Sequence, residues 1–214
     1  FARTSTFALV SSESVRCTWR LEASEATREH YPFEFRLDVT YAVRAGTLEM
    51  AAEVGNVGKA TMPASFGFHP ALRWPLPYGR PRAAHDIVFD REEPAPVRRP
   101  VDGLLSAATY PTPVQGRRLA LHDDLFRDGA LVFDRLQSRS LTYGRRLRVD
   151  FDGMPHLGIW TLPGAGYVCI EPWQGHASPQ GFDGELADKP GIVSIAAGAS
   201  RRFAMSVSVL PPGS

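Results

Sequence analysis

Residues 33–54 read FEFRLDVTYAVRAGTLEMAAEV and carry the clearest strand signal of the chain. Apolar side chains recur at alternate positions on both sides of Gly46, with charged or polar side chains between them. Such alternation is typical of a β-strand with one buried face and one face in water. Gly46 permits a tight turn between the two runs. The stretch therefore predicts a long antiparallel hairpin.

The same alternation recurs elsewhere in the chain, most clearly in residues 15–21 and 203–209. Gly, Pro, Asn and Asp separate the runs, which is typical of turns between short strands. No segment keeps an apolar period of 3.6 residues, and we expect a helical turn only around 123–126. These features favour an all-β fold, a large antiparallel β-sandwich with few or no helices.

The chain of 214 residues is long enough for one large β domain. We therefore assign residues 1–214 to a single β-sandwich domain. Residues 75–118 are rich in Pro and Arg and contain one short apolar run, at 87–89. So little apolar surface indicates a loop-rich excursion over the sandwich rather than a second domain.

Composition limits the classes of partner. Apolar residues make up 43% of the chain, charged residues 22%, and the net charge is +1. This balance provides no field that would gather nucleic acid or an anionic membrane, so we expect neither as a partner. Cys17 and Cys169 form no CxxC pair and no ligand cluster in the sequence, which favours a reducing compartment. We expect a cytoplasmic protein, and the oligomeric state stays open.

Residues 64–70 read ASFGFHP and contain the first catalytic candidate. On a strand, the two Phe side chains point to one face, while Gly67 and His69 point to the other. Gly67 leaves space beside His69, and Pro70 holds His69 in an extended conformation. We expect His69 to project from a strand end over an open groove. The alternative is a histidine that hydrogen-bonds to a neighbour on the sheet.

Residues 166–173 read GYVCIEPW, where an apolar strand ends at Glu171 before another proline. A carboxylate among Tyr, Cys and Trp side chains is partly desolvated, which raises its pKa and makes it a better base near neutrality. Trp173 provides a flat apolar surface of the kind that packs on the C–H face of a sugar. The alternatives are a hydrated glutamate at the rim and an ordinary core tryptophan.

Other types of site lack support in the sequence. There is no HExxH or HxH spacing, no GxSxG elbow, no P-loop and no GxGxxG after a strand. We therefore expect no metal and no cofactor. The remaining histidines are far apart in sequence: His30, His85, His122, His156 and His176.

The segments 66–70 (FGFHP) and 169–173 (CIEPW), in this order in an all-β chain, resemble the two active-site strands of the aldose 1-epimerase (galactose mutarotase-like) family. The resemblance is closest to its bacterial branch related to glucose-6-phosphate 1-epimerases. It covers nearly the whole chain, and the joint order of the motifs is more specific than any one of them. Further similarity lies in residues 1–6, 157–160, 181–183 and 189–191.

This resemblance implies roles for individual residues. His69 corresponds to the general acid of the family, and Glu171 to its general base. Arg3 and Asp124 correspond to residues that contact sugar hydroxyls. The nearby Asp123 and Asp128 leave the register of Asp124 open.

The resemblance also implies that part of the protein is absent from this sequence. Family members have another histidine just before the segment that begins here at Phe1, and earlier strands with a further arginine. A strand-like pattern begins almost at Phe1. We therefore expect the N-terminal strands to be missing and the sheet to have an unpaired edge.

The resemblance thus predicts an isomerase, an aldose 1-epimerase that interconverts the α and β anomers of a hexose in carbohydrate metabolism. We expect the imidazole and the carboxylate on opposite sides of one sugar-sized hollow. One alternative is a hexose-6-phosphate 1-epimerase, which would use an arginine cluster such as Arg73, Arg80 and Arg82. Another is a non-catalytic carbohydrate-binding sandwich. A glycosidase would need a second carboxylate that the sequence does not identify.

Overall fold

A computed structural model describes residues 1–211 and is built almost entirely of antiparallel strands. In chain order the strands are β1 (Ala8–Glu13), β2 (Arg16–Glu22), β3 (Phe35–Arg44), β4 (Thr47–Asn56), β5 (Met62–Ala64), β6 (Phe66–Gly67), β7 (Ala71–Arg73), β8 (Asp86–Phe89), β9 (Pro100–Val101), β10 (Leu104–Leu105), β11 (Arg118–Ala120), β12 (Leu131–Phe133), β13 (Ser140–Tyr143), β14 (Leu147–Asp150), β15 (His156–Trp160), β16 (Tyr167–Gln174), β17 (Val193–Ile195) and β18 (Ser200–Val209).

Two sheets form the two layers of the fold. The larger has nine strands in the spatial order β1-β2-β3-β4-β18-β14-β13-β8-β11. The smaller has the order β12-β15-β16-β6, and β7 pairs with β16 beyond the end of β6. Two short pairs, β9 with β10 and β5 with β17, lie outside these sheets. The predicted all-β antiparallel sandwich is confirmed.

The hairpin predicted from residues 33–54 is the β3–β4 pair, in which Val39 lies opposite Ala52. Its turn uses Ala45 and Gly46, both with positive φ angles (46° and 80°). This left-handed conformation is natural for glycine and strained for other residues, which explains the glycine at this position.

Helical structure is short. The turn expected around 123–126 is a 3-10 turn, Asp123–Phe126. A four-residue helix, α1 (Glu25–Arg28), was not expected. It begins because the Ser24 hydroxyl accepts from the Thr27 amide while the Thr27 hydroxyl accepts from the Ser24 amide. Three further 3-10 turns cover Ala2–Thr4, Arg82–Ala84 and Leu186–Asp188.

The hydrophobic core lies between the two sheets. Phe66 of the smaller sheet stacks on Phe203 of the larger, with ring centroids 5.7 Å apart. Val168 and Ile170 of β16 are fully buried in the same core. Because side chains alternate along a strand, the odd-numbered residues of β16 point to the opposite face of the smaller sheet. The candidate catalytic residue Glu171 lies on that face.

The segment 75–118 contributes to the larger sheet through β8, which lies between β13 and β11. Much of the rest of this segment is irregular. The assignment of 1–214 to one domain with a loop-rich excursion stays a prediction, and its last three residues lie outside the described part.

The strand-like start expected near Phe1 is wrong, because Ala2–Thr4 forms a 3-10 turn and β1 begins only at Ala8. β1 is an edge strand of the larger sheet. Leu9 of β1, Trp19 of β2 and Tyr41 of β3 have exposed apolar side chains in this part of the sheet. Within residues 1–211, no helix combines the length and the apolar character that a bilayer crossing needs.

Candidate active site

His69 and Glu171 lie directly opposite each other on neighbouring strands. Gly67 pairs with Trp173 at one end of the contact between β6, β7 and β16, and Ala71 pairs with Cys169 at the other. Counting inward along both antiparallel strands places residue 69 opposite residue 171. The register of the sheet therefore brings the two candidates together.

The hydrogen bonds around this pair explain the closeness of its side chains. The Phe68 amide donates to the Pro172 carbonyl (3.1 Å), and the Ile170 amide donates to the Pro70 carbonyl (3.3 Å). The bonds lie on either side of residues 69 and 171, which form a non-hydrogen-bonded pair. In such a pair the strands approach closely and the side chains are nearer to each other.

The two prolines weaken the ladder at this place. Pro70 and Pro172 have no amide hydrogen, so each flanking pair keeps one of its two hydrogen bonds. The partner strand is interrupted between Gly67 and Ala71, while β16 continues through Pro172 to Gln174. The expected strand end at Glu171 is therefore wrong, because the carbonyl of Pro172 still accepts a bond from the partner strand.

The distance between His69 Nε2 and Glu171 Oε2 is 3.5 Å. The His69 side chain is 59% exposed and the Glu171 side chain only 7%. The expectation that they lie on opposite sides of a hollow is wrong, because their cross-strand register places them side by side on one wall. An adjacent acid and base can exchange protons with two substrate atoms that are themselves close together.

Burial changes the protonation of Glu171. Desolvation raises the pKa of its carboxyl to about 7. The neighbouring Cys169 is also buried, and desolvation together with the Glu171 carboxylate raises the pKa of its thiol to about 11. Glu171 can therefore both hold and release a proton near neutral pH.

Trp173 lies flat across the sheet because two glycines leave room for its indole. A Cβ atom at Gly67 would lie 2.4 Å from Trp173 Cδ1, and one at Gly158 would lie 2.4 Å from Cη2 and Cζ2. Gly158 is the partner of Glu171 on β15. The indole is thus held beside the carboxylate by the absence of two side chains.

A cavity of about 580 Å³ opens over His69, Glu171 and Trp173. Arg3 lines it as well, presented by the 3-10 turn at the start of the chain. Four of the five predicted site residues therefore share one cavity.

Asp124 is the exception and is not among the residues that line this cavity. Its carboxylate pairs with Arg127 (2.7 Å), and its side chain is 62% exposed. The neighbouring Asp123 binds Arg82 and the Gly164 amide, which fixes the 3-10 turn against the β15–β16 hairpin. Asp128 is not a lining residue either.

Sequence reasoning missed residues that surround the pair. Trp160 lies opposite Cys169 and meets the His69 ring edge-on, with centroids 6.5 Å apart. The alternation of β15 could have placed Trp160 on this face. Leu37, Val39 and Tyr41 reach the cavity from the larger sheet, and no local signal could have identified them.

The expectation for Cys169 needs correction. Both cysteines are free, but the sulfur of Cys169 joins a cluster with His69 and Glu171 whose ligand atoms all lie within 4.8 Å of one another. The sequence could not show this cluster, because His69 is distant along the chain.

Of the three arginines considered for phosphate binding, Arg82 is already engaged. Its guanidinium lies over the Trp74 ring (3.4 Å to the centroid) and donates to the carbonyls of Trp74 and Ala165. It also pairs with Asp123 at 2.6 Å.

Comparison with known proteins identifies the family of this chain. A family profile described as aldose 1-epimerase matches residues 1–177. Protein LacX (plasmid) of Lactococcus lactis subsp. lactis is 29% identical over 205 residues, which cover 91% of this chain and 69% of LacX.

Similar solved structures include the following two. The galactose mutarotase related enzyme from Lactobacillus acidophilus is 30% identical, with a TM-score of 0.82 over 99% of this chain and 73% of its own. A galactose mutarotase-like protein from Lactobacillus casei ATCC 334 is 24% identical, with a TM-score of 0.86 over 98% of this chain and 75% of its own. At 24% identity, the second of these similarities supports the fold alone.

The glycines beneath Trp173 can be tested by substitution. We expect Gly67→Ala and Gly158→Ala each to displace the indole and to lower the free energy of unfolding by about 1–3 kcal/mol through overpacking. Urea denaturation and near-ultraviolet circular dichroism would measure both effects. Gly166→Ala is the matched control, because its added Cβ meets nothing within 4 Å. An unchanged tryptophan spectrum in both site variants would contradict this packing.

The buried carboxyl of Glu171 should cost stability at high pH. Because its pKa is raised from 4.5 to about 7, the folded state holds the proton longer than the unfolded state, and stability falls as the pH rises between these values. Glu171→Gln removes this cost, so we expect it to be more stable than the wild type by about 3 kcal/mol above pH 7 and equally stable near pH 4.5.

Urea denaturation from pH 4.5 to 8 would measure the difference. The exposed Glu49 provides the control, since Glu49→Gln should change the free energy of unfolding by less than about 0.5 kcal/mol at every pH. A stability difference for Glu171→Gln that does not depend on pH would show that the carboxyl is not desolvated.

Proposed function

This chain belongs to the aldose 1-epimerase family, and on that premise we propose that it is an isomerase that interconverts the α and β anomers of a free hexose. His69 is the proposed general acid and Glu171 the proposed general base. The observation that supports this most directly is the 3.5 Å separation of their reacting atoms at the wall of a sugar-sized cavity.

Anomer exchange requires neighbouring proton-transfer groups. The anomeric hydroxyl and the ring oxygen are bonded to the same carbon, C1, so the group that removes a proton from one must lie close to the group that protonates the other. A side-by-side acid and base meets this requirement better than two groups on opposite sides of the ring.

Ring opening then combines two proton transfers with the breaking of one bond in a single step. The Glu171 carboxylate takes the proton of the C1 hydroxyl, the C1–O1 bond becomes a carbonyl, and the bond between C1 and the ring oxygen breaks. The ring oxygen takes a proton from the His69 imidazolium. The product is the open-chain aldehyde, with one proton moved onto Glu171 and one off His69.

Ring closure reverses these roles after rotation about the C1–C2 bond. His69 removes the proton of the chain hydroxyl as its oxygen attacks the other face of C1. Glu171 returns its proton to the carbonyl oxygen. The enzyme regains its starting protonation state, and no redox step or group transfer is involved.

Two further residues are proposed to hold the sugar. The flat indole of Trp173 beside Glu171 suits the C–H face of a pyranose. Arg3 lines the same cavity and can donate to sugar hydroxyls. A sugar contact by Asp124 gains no support from its position outside the cavity.

The alternatives make different demands. Recognition of a 6-phosphate needs free guanidinium groups, and the engagement of Arg82 with Trp74, Ala165 and Asp123 weighs against the cluster considered from the sequence. A non-catalytic sugar-binding module has no need for an acid and a base in contact. Comparing free with phosphorylated hexose, and binding with turnover, separates these functions.

The proposal predicts that the protein accelerates mutarotation of freshly dissolved α-glucose or α-galactose, measured by polarimetry. We expect His69→Gln and Glu171→Gln each to lower kcat by about 10²–10⁴-fold, because each removes one proton-transfer group. The exposed His30 and Glu49 provide controls, and His30→Gln and Glu49→Gln should turn over normally. Normal turnover in Glu171→Gln would show that the base is another group.

The pH dependence provides an independent test. Since the base must be ionised and the pKa of Glu171 is raised to about 7, we expect kcat/KM to fall about tenfold per pH unit well below pH 7. The rate without enzyme is subtracted at each pH. A flat profile between pH 5 and 7 would contradict a base with this raised pKa.

A further inference from the structure

We propose that His69, Cys169 and Glu171 also bind one thiophilic divalent cation, of which zinc is the best match. These residues bring an imidazole nitrogen, a sulfur and a carboxylate oxygen within 4.8 Å of one another. Among residues 1–211 no other group of three potential ligands meets this spacing.

The sheet register creates the site. Glu171 is the cross-strand neighbour of His69, and Cys169 lies two residues earlier on β16, on the same face as Glu171. Cys169 pairs with the small Ala71 on the side of His69 and with Trp160 on the other side. All three ligand groups therefore point to the same side of the sheet.

The distances suit a metal ion. Zinc binds nitrogen, oxygen and sulfur at about 2.0–2.3 Å, so ligand atoms around one tetrahedral ion are separated by roughly 3.5 Å. The His69 to Glu171 distance is already 3.5 Å. Closing a pair from 4.8 Å to this spacing takes about 1.3 Å. Of the three ligand side chains, that of His69 is the exposed one, at 59%.

The ligand set decides which ions are bound. A sulfur and an imidazole nitrogen favour zinc and cobalt over magnesium or calcium, which prefer oxygen ligands. The thiol of Cys169 releases its proton to solvent as the metal–sulfur bond forms. Three protein ligands leave the fourth position of the ion to water.

Such an ion would act as an inhibitor rather than as a cofactor. It would occupy the lone pair of the imidazole and the carboxylate oxygen that move protons, and it would stand in the place of the anomeric carbon. This consequence rests on the proposed function, whereas binding of the ion does not.

Cobalt(II) titration of the full chain tests the site without any assay of turnover. We expect one equivalent to bind, with the near-ultraviolet absorption of a cobalt–thiolate bond, and zinc but not magnesium to displace it. Cys169→Ser should abolish this absorption and raise the Kd at least about tenfold. Cys17→Ser is the matched control and should retain both, since Cys17 lies in β2 of the other sheet.

Other variants and outcomes separate the site from an accidental thiol. Glu171→Gln should weaken cobalt binding at least about tenfold while the thiolate absorption is retained at saturation. Far-ultraviolet circular dichroism checks that each variant is folded. Unchanged affinity in Cys169→Ser, or loss of the thiolate absorption in Cys17→Ser, would overturn the proposal.

Inhibition is a separate measurement. Zinc should slow mutarotation of the wild type at the concentrations at which it binds, and added chelator should restore the rate. Saturating zinc that leaves the rate unchanged would overturn the inhibitory role while the binding site stands. If the wild type shows no mutarotation at all, the proposed function fails and the cobalt titration still decides the metal site.

Discussion

The antiparallel register between β16 and the interrupted strand β6–β7 is the constraint on which the site depends. It makes His69 and Glu171 a non-hydrogen-bonded pair, the arrangement in which neighbouring side chains come closest. A slip of one residue would turn one of them into the core. The prolines that follow both residues remove two ladder bonds here, so the rest of the sheet must hold the register.

Around this pair the structure balances burial against access. Glu171 is buried enough for desolvation to raise its pKa, while His69 stays open to the cavity. The glycines at 67 and 158 leave room for the indole of Trp173, which covers this part of the sheet beside the carboxylate. Uncovering the carboxyl would return its pKa toward an ordinary value, so these small residues help to keep the pKa of Glu171 raised.

The same closeness that suits proton transfer exposes the site to metal ions. A buried carboxylate beside an imidazole and a thiol provides the ligand types of a zinc site, at spacings that must still close slightly around an ion. The sheet presents Cys169 on the reactive face because strand alternation gives residues 169, 171 and 173 one direction. An apolar residue at 169 would keep the acid–base pair and remove the sulfur.

The all-β class and the β3–β4 hairpin could be predicted from the sequence alone, because alternation and turn residues are local signals. The sequence also named His69 and Glu171 as the candidate acid and base, from short motifs and their resemblance to a family. It placed His69, Glu171, Trp173 and Arg3 in one site through the order of short motifs. Three features became visible only in the folded chain: the pair is side by side, Asp124 lies outside the cavity, and Cys169 joins the cluster. These facts depend on cross-strand register and on the packing of two sheets, which join residues about a hundred positions apart and leave no periodic trace in the chain.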